Sequence, residues 1–315
     1  MNEDNRRLFK GTLENDHESW HGYLRSLGAF FPLIKHIFEI NHLMFDESSF
    51  AKMPSGAVYH TGNKVVKIYF PPEIKTRVCD TRGYTTELVA MEHARRVGIL
   101  APEIICNGSV YDEPYTFDYI VMNYIEGSLV KELIPDYSDS EKAEFAIKLK
   151  DVMNMLHIPA PDLNIPRFDD FGMINNTLWN NLPESFREDR QRHISNTVYP
   201  ELVVCQGDMG GQNIIIDSKG RLNIIDFAES IHAPCYYDER TLLEDYWQDR
   251  ILMEALYGDY KNDKFYDMIT MSMLLGWFNG VIIGWLAEKI GYDFNRITSV
   301  KALKVMLIEL LNGGK

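Results

Sequence analysis

The chain has 315 residues, of which 45% are hydrophobic and 25% charged, a balance typical of a folded protein large enough for two lobes. Its formal net charge of −14 repels nucleic acid and anionic lipid and attracts cations. The charge therefore argues against a nucleic-acid-binding role and is compatible with a cationic partner, although an acidic surface often serves only to keep a protein in solution.

The four cysteines are widely spaced and form no C-x-x-C pair: Cys79, Cys106, Cys205 and Cys235. This spacing argues against a disulfide framework or a zinc site and favours a reducing compartment. The first 20 residues contain no apolar core behind their charges, so we do not expect a secretory signal peptide. We predict a cytoplasmic protein that binds neither nucleic acid nor a membrane, and we expect it to be a monomer.

The first 45 residues carry apolar side chains at helical spacing from residue 17 onward, for example Trp20, Leu24 and Phe31. This pattern predicts one or two helices before the first strand. We expect residues 1–45 to form a helical extension that packs on the rest of the fold.

Residues 46–124 are rich in β-forming side chains and predict a first lobe built on a small antiparallel sheet. Turn residues separate the first three segments, and Gly62-Asn63 predicts a tight hairpin. A helix is expected at residues 86–97. The strands are expected at residues 50–53, 57–61, 64–70, 103–106 and 117–124.

Residues 125–315 have a mostly helical pattern and form the predicted second, larger lobe. The spacing of Ser138 and Glu141 offers a capping box for an amphipathic helix at residues 140–156. The sequence thus predicts an α+β chain with a hinge and a cleft near residues 124–128. A group of short strands interrupts the helices, at residues 203–205, 214–217 and 222–226.

An uncharged run of 20 residues, 268–287, has the length of a membrane span. It contains polar residues and three glycines, and no cluster of basic residues marks a cytoplasmic side. We therefore expect a buried helix, either continuous or broken into two. Gly276, Gly280 and Gly284 recur at every fourth position, which would place them on one helix face that another helix can approach closely.

The strand group of the second lobe carries the residues that suggest a reaction. Asp208 lies in a glycine-rich loop, Asn213 follows five residues later, and Asp226 ends the third strand. Because a tight turn keeps two strands in register, Asn213 and Asp226 are expected at one end of a hairpin. A carboxylate beside an amide oxygen suits Mg²⁺, and a second carboxylate nearby can accept the proton of an attacking hydroxyl. Phosphoryl transfer requires this arrangement.

The stretch from Gln206 to Asn213, followed by Ile225-Asp226-Phe227, resembles the signature of the aminoglycoside phosphotransferase and choline kinase superfamily. The usual pattern of that superfamily is His-Gly-Asp-x-x-x-x-Asn and then an aspartate at the end of an apolar strand. The resemblance implies a protein-kinase-like two-lobed α+β fold. It also implies that Asp208 is the catalytic aspartate and that Asn213 and Asp226 hold Mg²⁺.

The sequence departs from this pattern at two positions. Gln206 stands where the family has histidine, and it can still brace the loop through hydrogen bonds. Ala228 stands where protein kinases have glycine, and no Ala-Pro-Glu-like segment follows, which argues against a protein kinase. The resemblance covers about residues 50–250. The alternative is that the three site residues are only turn and cap residues, which are common roles for aspartate and asparagine.

In the first lobe, the resemblance implies residues that bind ATP or GTP. Lys67 on an apolar strand would contact the α- and β-phosphates, and Glu87 at the beginning of the next helix would pair with it. Ser55 and Gly56 occupy the place of the loop that covers the nucleotide, where backbone N–H groups can meet a phosphate. The alternatives are an outward lysine, an acid favoured by the helix dipole, and a plain hairpin turn.

The segment 120–127 resembles the linker between the two lobes of the family. Carried over, Met122 would be the gatekeeper, while the Asn123 carbonyl and the Ile125 N–H would bond the base. Because the base contacts are to backbone, they do not distinguish ATP from GTP. Met122 is equally at home in any hydrophobic core.

Acidic residues after the catalytic motif are candidates for substrate binding. Glu229 lies three residues past Asp226, and Asp238 and Glu239 begin an acidic run in the part of the fold where the family binds its acceptor. Such a run is often only a solvated helix start. The functional alternative is a site for a cationic acceptor. His157 resembles a helix-end position of the family and is expected to be structural.

We therefore predict a kinase that moves the γ-phosphate of ATP or GTP to a hydroxyl of a small cationic molecule. The leading acceptor is an aminoglycoside-type antibiotic, which would make the protein an antibiotic-resistance enzyme. The alternatives are a metabolic kinase acting on choline, a sugar or a homoserine-like alcohol, and a kinase-like binding protein without activity. The combined presence of all five motif residues argues against the last alternative: Lys67, Glu87, Asp208, Asn213 and Asp226.

Overall fold

The structure, a computed structural model, describes residues 7–13, 17–24, 26–54, 56–74, 83–170 and 176–313. These residues divide into two compact units. The first contains the described residues up to Leu88 together with Pro102–Glu126, and the second contains Val89–Ala101 and the described residues from Gly127 onward. The division into an extension (1–45), a first lobe (46–124) and a second lobe (125–315) stays a prediction.

The first unit is built on an antiparallel sheet of five strands. As predicted, Gly62 and Asn63 form the turn of a hairpin, with Thr61 paired to Lys64 across it. Gly62 has a φ of +59°, a conformation that glycine adopts without steric cost. The sheet order is β1-β2-β3-β5-β4, with strands β1 (Ala51–Lys52), β2 (Ala57–Thr61), β3 (Lys64–Ile68), β4 (Ile104–Asp112) and β5 (Tyr115–Asn123).

The edge strand β4 is longer than the sequence pattern predicts, because it continues to Asp112 instead of ending at Cys106. Residues 107–109 (Asn-Gly-Ser) have low β-propensity and conceal the second half of the strand. That half nevertheless pairs in register with β5, for example Val110 with Phe117. Strand β5 is therefore hydrogen-bonded on both sides, to β3 and to β4.

The N-terminal residues contribute much of the apolar core of the first unit. Helices α1 (His17–Leu24) and α2 (Leu27–Ile40) precede the sheet. Phe9 and Phe30 are fully buried, and the ring of Phe9 lies 5.0 Å from that of Phe30 and 5.2 Å from that of Phe117 on β5. These contacts make the N-terminal segment a part of the core.

Asp112, at the end of β4, attaches the N-terminal segment to the sheet. Its two carboxylate oxygens accept the backbone N–H of Leu8 at 2.9 Å and the N–H of Phe9 at 2.7 Å. The hydroxyl of Tyr115 bonds both the N–H and the carbonyl of Leu13, at 2.8 and 2.9 Å. Side chains of the sheet thus satisfy backbone groups that would otherwise lie buried without partners.

We expect Asp112→Ala to lower the free energy of unfolding by about 1–3 kcal/mol, because two backbone N–H groups, one of them buried, lose their acceptor. Urea unfolding followed by circular dichroism measures the loss. The matched control is Asp118→Ala on β5, where the carboxylate accepts the exposed hydroxyl of Ser109. There we expect a change within about 0.5 kcal/mol. Equal losses in the two variants would contradict the role given to Asp112.

The second unit is mainly helical. Its helix α5 begins with the predicted capping box, in which Ser138 and Glu141 bond each other's backbone N–H groups. The helices are the C-terminal half of α3 (Gly83–Arg96), α4 (Val130–Leu133), α5 (Asp139–Leu156), α6 (Glu184–Asn196), α7 (Glu239–Tyr246), α8 (Arg250–Tyr257), α9 (Asp263–Leu275), α10 (Asn279–Lys289) and α11 (Val300–Leu311).

Two small antiparallel sheets lie within this helical unit. The sequence pattern predicts β7, β8 and β9, whereas it does not predict β6 or β10. One sheet contains β6 (Ser128–Leu129), β8 (Ile214–Ile216) and β9 (Leu222–Ile224), and the other pairs β7 (Val203–Cys205) with β10 (Ile231–Ala233).

The uncharged run 268–287 forms parts of two helices, since α9 ends at Leu275 and α10 begins at Asn279. Gly276 lies between them, so the three glycines do not share one helix face, and that expectation was wrong. Gly280 instead lies against a 3₁₀ segment, where a Cβ atom would come within 2.5 Å of the carbonyl oxygen of Leu178. Among the described helices, none is long and apolar enough to cross a membrane.

Candidate active site

The loop that follows β7 has a course that requires glycine at position 207. Gly207 has a φ of +90°, and a Cβ atom there would lie 1.9 Å from the carbonyl oxygen of Glu229. The carbonyl of Gly207 accepts a hydrogen bond from the buried guanidinium of Arg240. The loop is therefore fixed against the segment that follows Asp226.

Asp208 lies in this loop with its side chain partly exposed. One carboxylate oxygen accepts a hydrogen bond from Nδ2 of Asn213 at 2.8 Å, and Nε2 of Gln212 lies 3.4 Å from each oxygen. Burial raises the pKa of Asp208 above its ordinary value, the positive charge of Arg240 opposes the rise, and the negative charge of Asp226 adds to it. The two amides fix the direction of the carboxylate, which a proton acceptor requires.

The hairpin of β8 and β9 brings Asn213 and Asp226 to the same end, as expected. Ile214 pairs with Ile224, and the N–H of Ile225 donates to the carbonyl of Asn213 at 2.9 Å. Asp226 is the next residue and has a φ of +58°, which is uncommon for a residue other than glycine. The Asn213 amide nitrogen donates to Asp208, while its amide oxygen accepts no hydrogen bond from the described residues.

Gln206 connects the loop to this hairpin end. The side chain is fully buried, and its Nε2 donates to the carbonyl of Asp226 and, at 3.2 Å, to the carbonyl of Ile225. Its Oε1 accepts the N–H of Asp208 at 2.7 Å. One amide therefore supplies a donor to the strand end and an acceptor to the loop. The glutamine makes the bracing hydrogen bonds expected at this position.

Asp238, a candidate acceptor-binding residue from the sequence, is fully buried beneath the same loop. Its carboxylate oxygens accept the N–H of Gln206 at 3.0 Å and the N–H of Gly207 at 2.8 Å. Nε2 of His157, at the end of α5, lies 2.9 Å from Oδ2. Because it is buried and bonded in this way, Asp238 offers no surface to an acceptor, and its position fits the task of holding the loop.

His157 and Asp238 also lie near Cys205, with the three possible ligand atoms within 4.8 Å of one another. Burial raises the pKa of the Cys205 thiol well above its ordinary value, and the sulfur lies 3.6 Å from the carbonyl oxygen of Pro234. The carboxylate of Asp238 already accepts hydrogen bonds from the N–H groups of Gln206 and Gly207, and Nε2 of His157 bonds the same carboxylate, so these side chains have partners within the protein. Cys79 lies outside the described residues. The three described cysteines are free, namely Cys106, Cys205 and Cys235.

A buried cation lies close to the loop that carries Asp208. The guanidinium of Arg240 donates to the carbonyl of Gly207 and, at 3.2 Å, to Oδ1 of Asn279. The Asn279 amide nitrogen donates in turn to two carbonyls near the end of α9, at 3.1 and 3.0 Å. The positive charge of Arg240 interacts with Asp208 and Asp238. This network connects the loop to the helical part of the unit.

Glu229 is exposed and lies beside aromatic side chains. Its carboxylate accepts the indole N–H of Trp277 at 2.7 Å. The Trp277 and Phe278 rings lie 5.5 Å apart, and the Phe278 and Trp285 rings 5.6 Å apart. We call these three rings, Trp277, Phe278 and Trp285, the aromatic surface. Trp285 is exposed, Trp277 and Phe278 are half-buried, and an exposed carboxylate beside such rings is suited to contact a cation.

Other acids of the run 238–249 have partners inside the second unit. The carboxylate of Glu239 accepts the hydroxyl of Tyr257, and burial raises the pKa of Glu239 to about 7. The carboxylate of Asp245 accepts the N–H of Gly211 at 2.6 Å, in the segment between Asp208 and β8. The acidic run therefore contributes to holding the segment between Asp208 and β8 as well as to the surface charge.

In the first unit, β3 brings Lys67 to Glu87 of α3. Nζ of Lys67 lies 2.6 Å from Oε2 of Glu87, whose side chain is buried. The hydroxyl of Tyr69 donates to the same oxygen. An ammonium held by a buried carboxylate has one preferred position, which suits a group that binds phosphate.

The predicted base-binding segment lies at the end of β5. Met122 is buried, Asn123 is the last residue of the strand, and Ile125 follows it half-buried. The N–H of Asn123 donates to the carbonyl of Glu103 at 3.0 Å, and Oδ1 of Asn123 accepts the N–H of Glu103. Asn123 thus fixes the end of β5 to the beginning of β4.

The predicted phosphate-covering turn lies between β1 and β2. Gly56 is exposed and has a φ of +53°. Ser55 lies outside the described residues. The backbone of Gly56 turns toward β2 as it would in a hairpin, and its role toward a nucleotide stays a prediction.

Sequence reasoning did not single out Arg240, Trp277 or Tyr69. Arg240 is the one basic residue of the segment 238–249, and this isolation was the available signal. Trp277 lies in the uncharged run 268–287, where a tryptophan is typical of a buried core position. In the sequence, Tyr69 shows only the pattern of a β-forming residue that follows Lys67.

The chain shares its fold with solved structures of small-molecule phosphotransferases. A mutant of aminoglycoside 2'-phosphotransferase-IIIa in its GDP complex aligns with 90% of this chain and 96% of its own, at a TM-score of 0.58 and 18% identity. Amicoumacin kinase hAmiN, in complex with AMP-PNP, Ca²⁺ and Ami, aligns with 94% of this chain and 96% of its own, at a TM-score of 0.58 and 12% identity. A thermostable mutant of aminoglycoside phosphotransferase APH(4)-Ia, in complex with ADP and hygromycin B, aligns with 89% of this chain and 99% of its own, at a TM-score of 0.53 and 14% identity.

No protein-family model matches the sequence, and no curated protein matches it. The structural similarity extends over nearly the whole chain at identities of 12–18%. It confirms the predicted α+β, protein-kinase-like two-lobed fold and the predicted resemblance to aminoglycoside phosphotransferases. At these identities the similarity establishes a fold, so the argument for an activity rests on the site residues.

Proposed function

We propose that the protein is a nucleotide-dependent kinase of a small molecule, which moves the γ-phosphate of ATP or GTP to a hydroxyl group. One observation carries the proposal: Asn213 holds the Asp208 carboxylate at 2.8 Å, and Asp226 lies at the same end of the β8–β9 hairpin as Asn213. A proton acceptor beside two hard-oxygen ligands is the arrangement that phosphoryl transfer requires.

In this proposal Asp208 accepts or orients the proton of the acceptor hydroxyl. The acceptor oxygen forms a bond to the γ-phosphorus, the bond from that phosphorus to the β–γ bridging oxygen breaks, and the nucleoside diphosphate leaves. Asn213 and Gln212 keep the carboxylate directed, and Gln206 fixes the loop to the backbone of Asp226. The enzyme's contribution is mainly the position of these groups.

Asn213 and Asp226 are the residues that we propose as ligands of Mg²⁺. An amide oxygen and a carboxylate suit this hard cation, and the Asn213 amide oxygen accepts no hydrogen bond from the described part of the chain. Bound there, Mg²⁺ would neutralise negative charge on the phosphates during transfer. The fit rests on the donor types and on their common position at the hairpin end.

For the nucleotide, we propose that Lys67 contacts the phosphates and that Glu87 holds it in place. The 2.6 Å pair between them supports this role. The backbone of Asn123 and Ile125 would bond the base beside Met122, and Ser55 and Gly56 would cover the phosphates. Since backbone groups read the base, both ATP and GTP are retained as donors.

For the acceptor, we propose a small cationic alcohol, with aminoglycoside-type antibiotics as the leading class. The net charge of −14 and the exposed Glu229 beside the aromatic surface support a cationic molecule. The same carboxylate and rings also suit a small quaternary ammonium alcohol such as choline, which is the second candidate. Together with Glu229, Glu239 remains a candidate acceptor-binding residue. Asp238 is buried, so we propose that it holds the loop and does not contact the acceptor.

We expect Glu229→Gln to raise the KM for a cationic acceptor about tenfold and to leave the KM for the nucleotide unchanged, because one charge facing the acceptor is lost. Steady-state kinetics at low and high salt measure this effect. In the wild type the acceptor KM should rise with salt, and in Glu229→Gln it should rise less. The control is Glu254→Gln, an exposed acid paired with Arg250 on α8. A salt-independent acceptor KM in the wild type would contradict the cationic acceptor.

The proposed function is tested with a panel of acceptors. Nucleotide consumption is measured with ATP and with GTP in the presence of Mg²⁺ and of aminoglycosides, macrolides, choline or neutral sugars. We expect consumption that depends on a cationic acceptor. If the nucleotide is consumed only with a neutral alcohol, the proposed acceptor class is wrong and the proposed kinase activity stands. If no acceptor stimulates the consumption of either nucleotide, the proposed kinase activity is contradicted.

A further inference from the structure

The peptide group between Gly207 and Asp208 is held at both ends by side chains. Its carbonyl oxygen accepts a hydrogen bond from Nη2 of Arg240, and its N–H donates to Oε1 of Gln206 at 2.7 Å. Arg240 and Gln206 are both buried. Because a peptide group is planar, two hydrogen bonds at opposite ends restrict the backbone torsions on either side of it. One of these torsions is φ of Asp208, which sets the direction of its side chain.

The guanidinium of Arg240 is held in turn by Asn279, the first residue of α10. Nη1 of Arg240 donates to Oδ1 of Asn279 at 3.2 Å, so two different nitrogens of one guanidinium bond two partners. Asn279 is fully buried, and its Nδ2 donates to the carbonyls of Ser272 and Met273 in α9 at 3.1 and 3.0 Å. The break between α9 and α10 therefore sets the position of the guanidinium.

We propose that Arg240 is a positioning residue for proton transfer at Asp208, and that Asn279 keeps its guanidinium in place. Gly207 has a φ of +90° and no side chain of its own to limit rotation, so the peptide group that follows it depends on outside contacts for its orientation. Arg240 supplies such a contact and keeps the Asp208 carboxylate in one direction, which proton transfer to a positioned group requires. This inference rests on the proposed role of Asp208 as the proton acceptor.

The test uses Arg240→Lys, which retains the positive charge and replaces the planar guanidinium with a single ammonium. One nitrogen does not take the place of two that bond Gly207 and Asn279 from different directions. With an acceptor that the wild type phosphorylates, we expect kcat to fall about tenfold or more, because a small displacement of a reacting group is costly. The calorimetric Kd of the β,γ-imido analogue of ATP or GTP, with Mg²⁺, should stay at its wild-type value.

The matched control is Thr270→Val in α9, which also removes a buried hydrogen bond to a backbone carbonyl. The Thr270 hydroxyl donates to the carbonyl of Tyr266 at 2.6 Å. This variant should have a lower thermal midpoint and a kcat within about twofold of the wild type. If Arg240→Lys lowers the thermal midpoint and leaves kcat unchanged, its role is only structural and the inference is overturned. Equal losses of kcat in the two variants would also overturn it.

A double variant tests whether Arg240 acts through Asp208. Asparagine at position 208 accepts no proton in any direction, so Arg240→Lys should lower the kcat of Asp208→Asn by less than about twofold. A loss as large as in the wild-type background would mean that Arg240 acts on another group, and the inference would then be wrong.

Asn279→Ala and Asn279→Asp supply a second test that leaves Arg240 itself in place, and this test decides if Arg240→Lys does not fold. Both variants lose the N–H donors toward α9, but only aspartate retains an oxygen that accepts from Arg240. We expect kcat about fivefold lower in Asn279→Ala than in Asn279→Asp. Equal kcat values would overturn the inference. If the wild type phosphorylates no acceptor, the proposed function itself fails, whereas an active wild type with unaffected variants removes only this inference.

Discussion

Replacing Asp208 with asparagine should lower kcat by about a hundredfold or more, because the variant loses the proton acceptor while keeping the shape of the side chain. The Kd for the nucleotide should remain nearly unchanged, since the nucleotide contacts that we propose come from the first unit and from the metal ligands. Steady-state kinetics with a turned-over acceptor, together with calorimetric nucleotide binding, separate the two effects.

The matched control for this prediction is Asp217→Asn in the turn after β8. That carboxylate caps its own turn and pairs with Arg221 at 2.7 Å, and we expect its loss to leave kcat within about twofold of the wild type. An Asp208→Asn variant with wild-type kcat would contradict the assignment of the catalytic residue. A large loss of nucleotide affinity in this variant would move Asp208 from proton transfer to metal or nucleotide binding.

Replacing Asp226 should abolish turnover through the loss of Mg²⁺. The variant of choice is Asp226→Asn, because φ at this position is +58° and asparagine tolerates this conformation better than most residues. Removal of the negative charge should raise the Mg²⁺ concentration needed for half-maximal nucleotide binding, and kcat should fall by about a hundredfold or more. A magnesium titration of nucleotide binding measures the first effect.

Asp226→Ala tests the backbone separately from the charge. Alanine at a positive φ is strained, so this variant should lose turnover and also a little stability, with the fold largely intact. Asp226→Asn should lose turnover without that loss of stability. An unchanged magnesium requirement in both variants would show that the metal binds elsewhere and would remove this residue from the ligand set.

The parts of the site that depend on nearby residues could be predicted from the sequence. Asp208 and Asn213 lie in one loop, and the short turn between β8 and β9 fixes Asn213 relative to Asp226. The capping box at Ser138 and the hairpin at Gly62-Asn63 were predictable for the same reason, since each depends on only a few consecutive residues.

The parts that depend on distant residues could not be predicted. In the sequence, Asp238 and Arg240 lie in a charged run that is typical of a solvated helix start. Both nevertheless contact the backbone of Gly207, which lies more than 30 residues earlier in the chain. A pattern of charges does not indicate which members are buried, because burial is decided by the packing of other elements. The break between α9 and α10 was also ambiguous, because an uncharged run carries no helix-capping signal strong enough to locate an end.

The central claim is that a phosphate passes from a nucleotide to an acceptor at Asp208, and mass spectrometry of the acceptor tests it most directly. The full chain is incubated with Mg²⁺, ATP or GTP, and each acceptor of the panel, in parallel with Asp208→Asn. We predict one added phosphate on a cationic hydroxyl-bearing acceptor with the wild type and almost none with the variant. No phosphorylated acceptor with the wild type, or equal amounts with the wild type and Asp208→Asn, would contradict the claim.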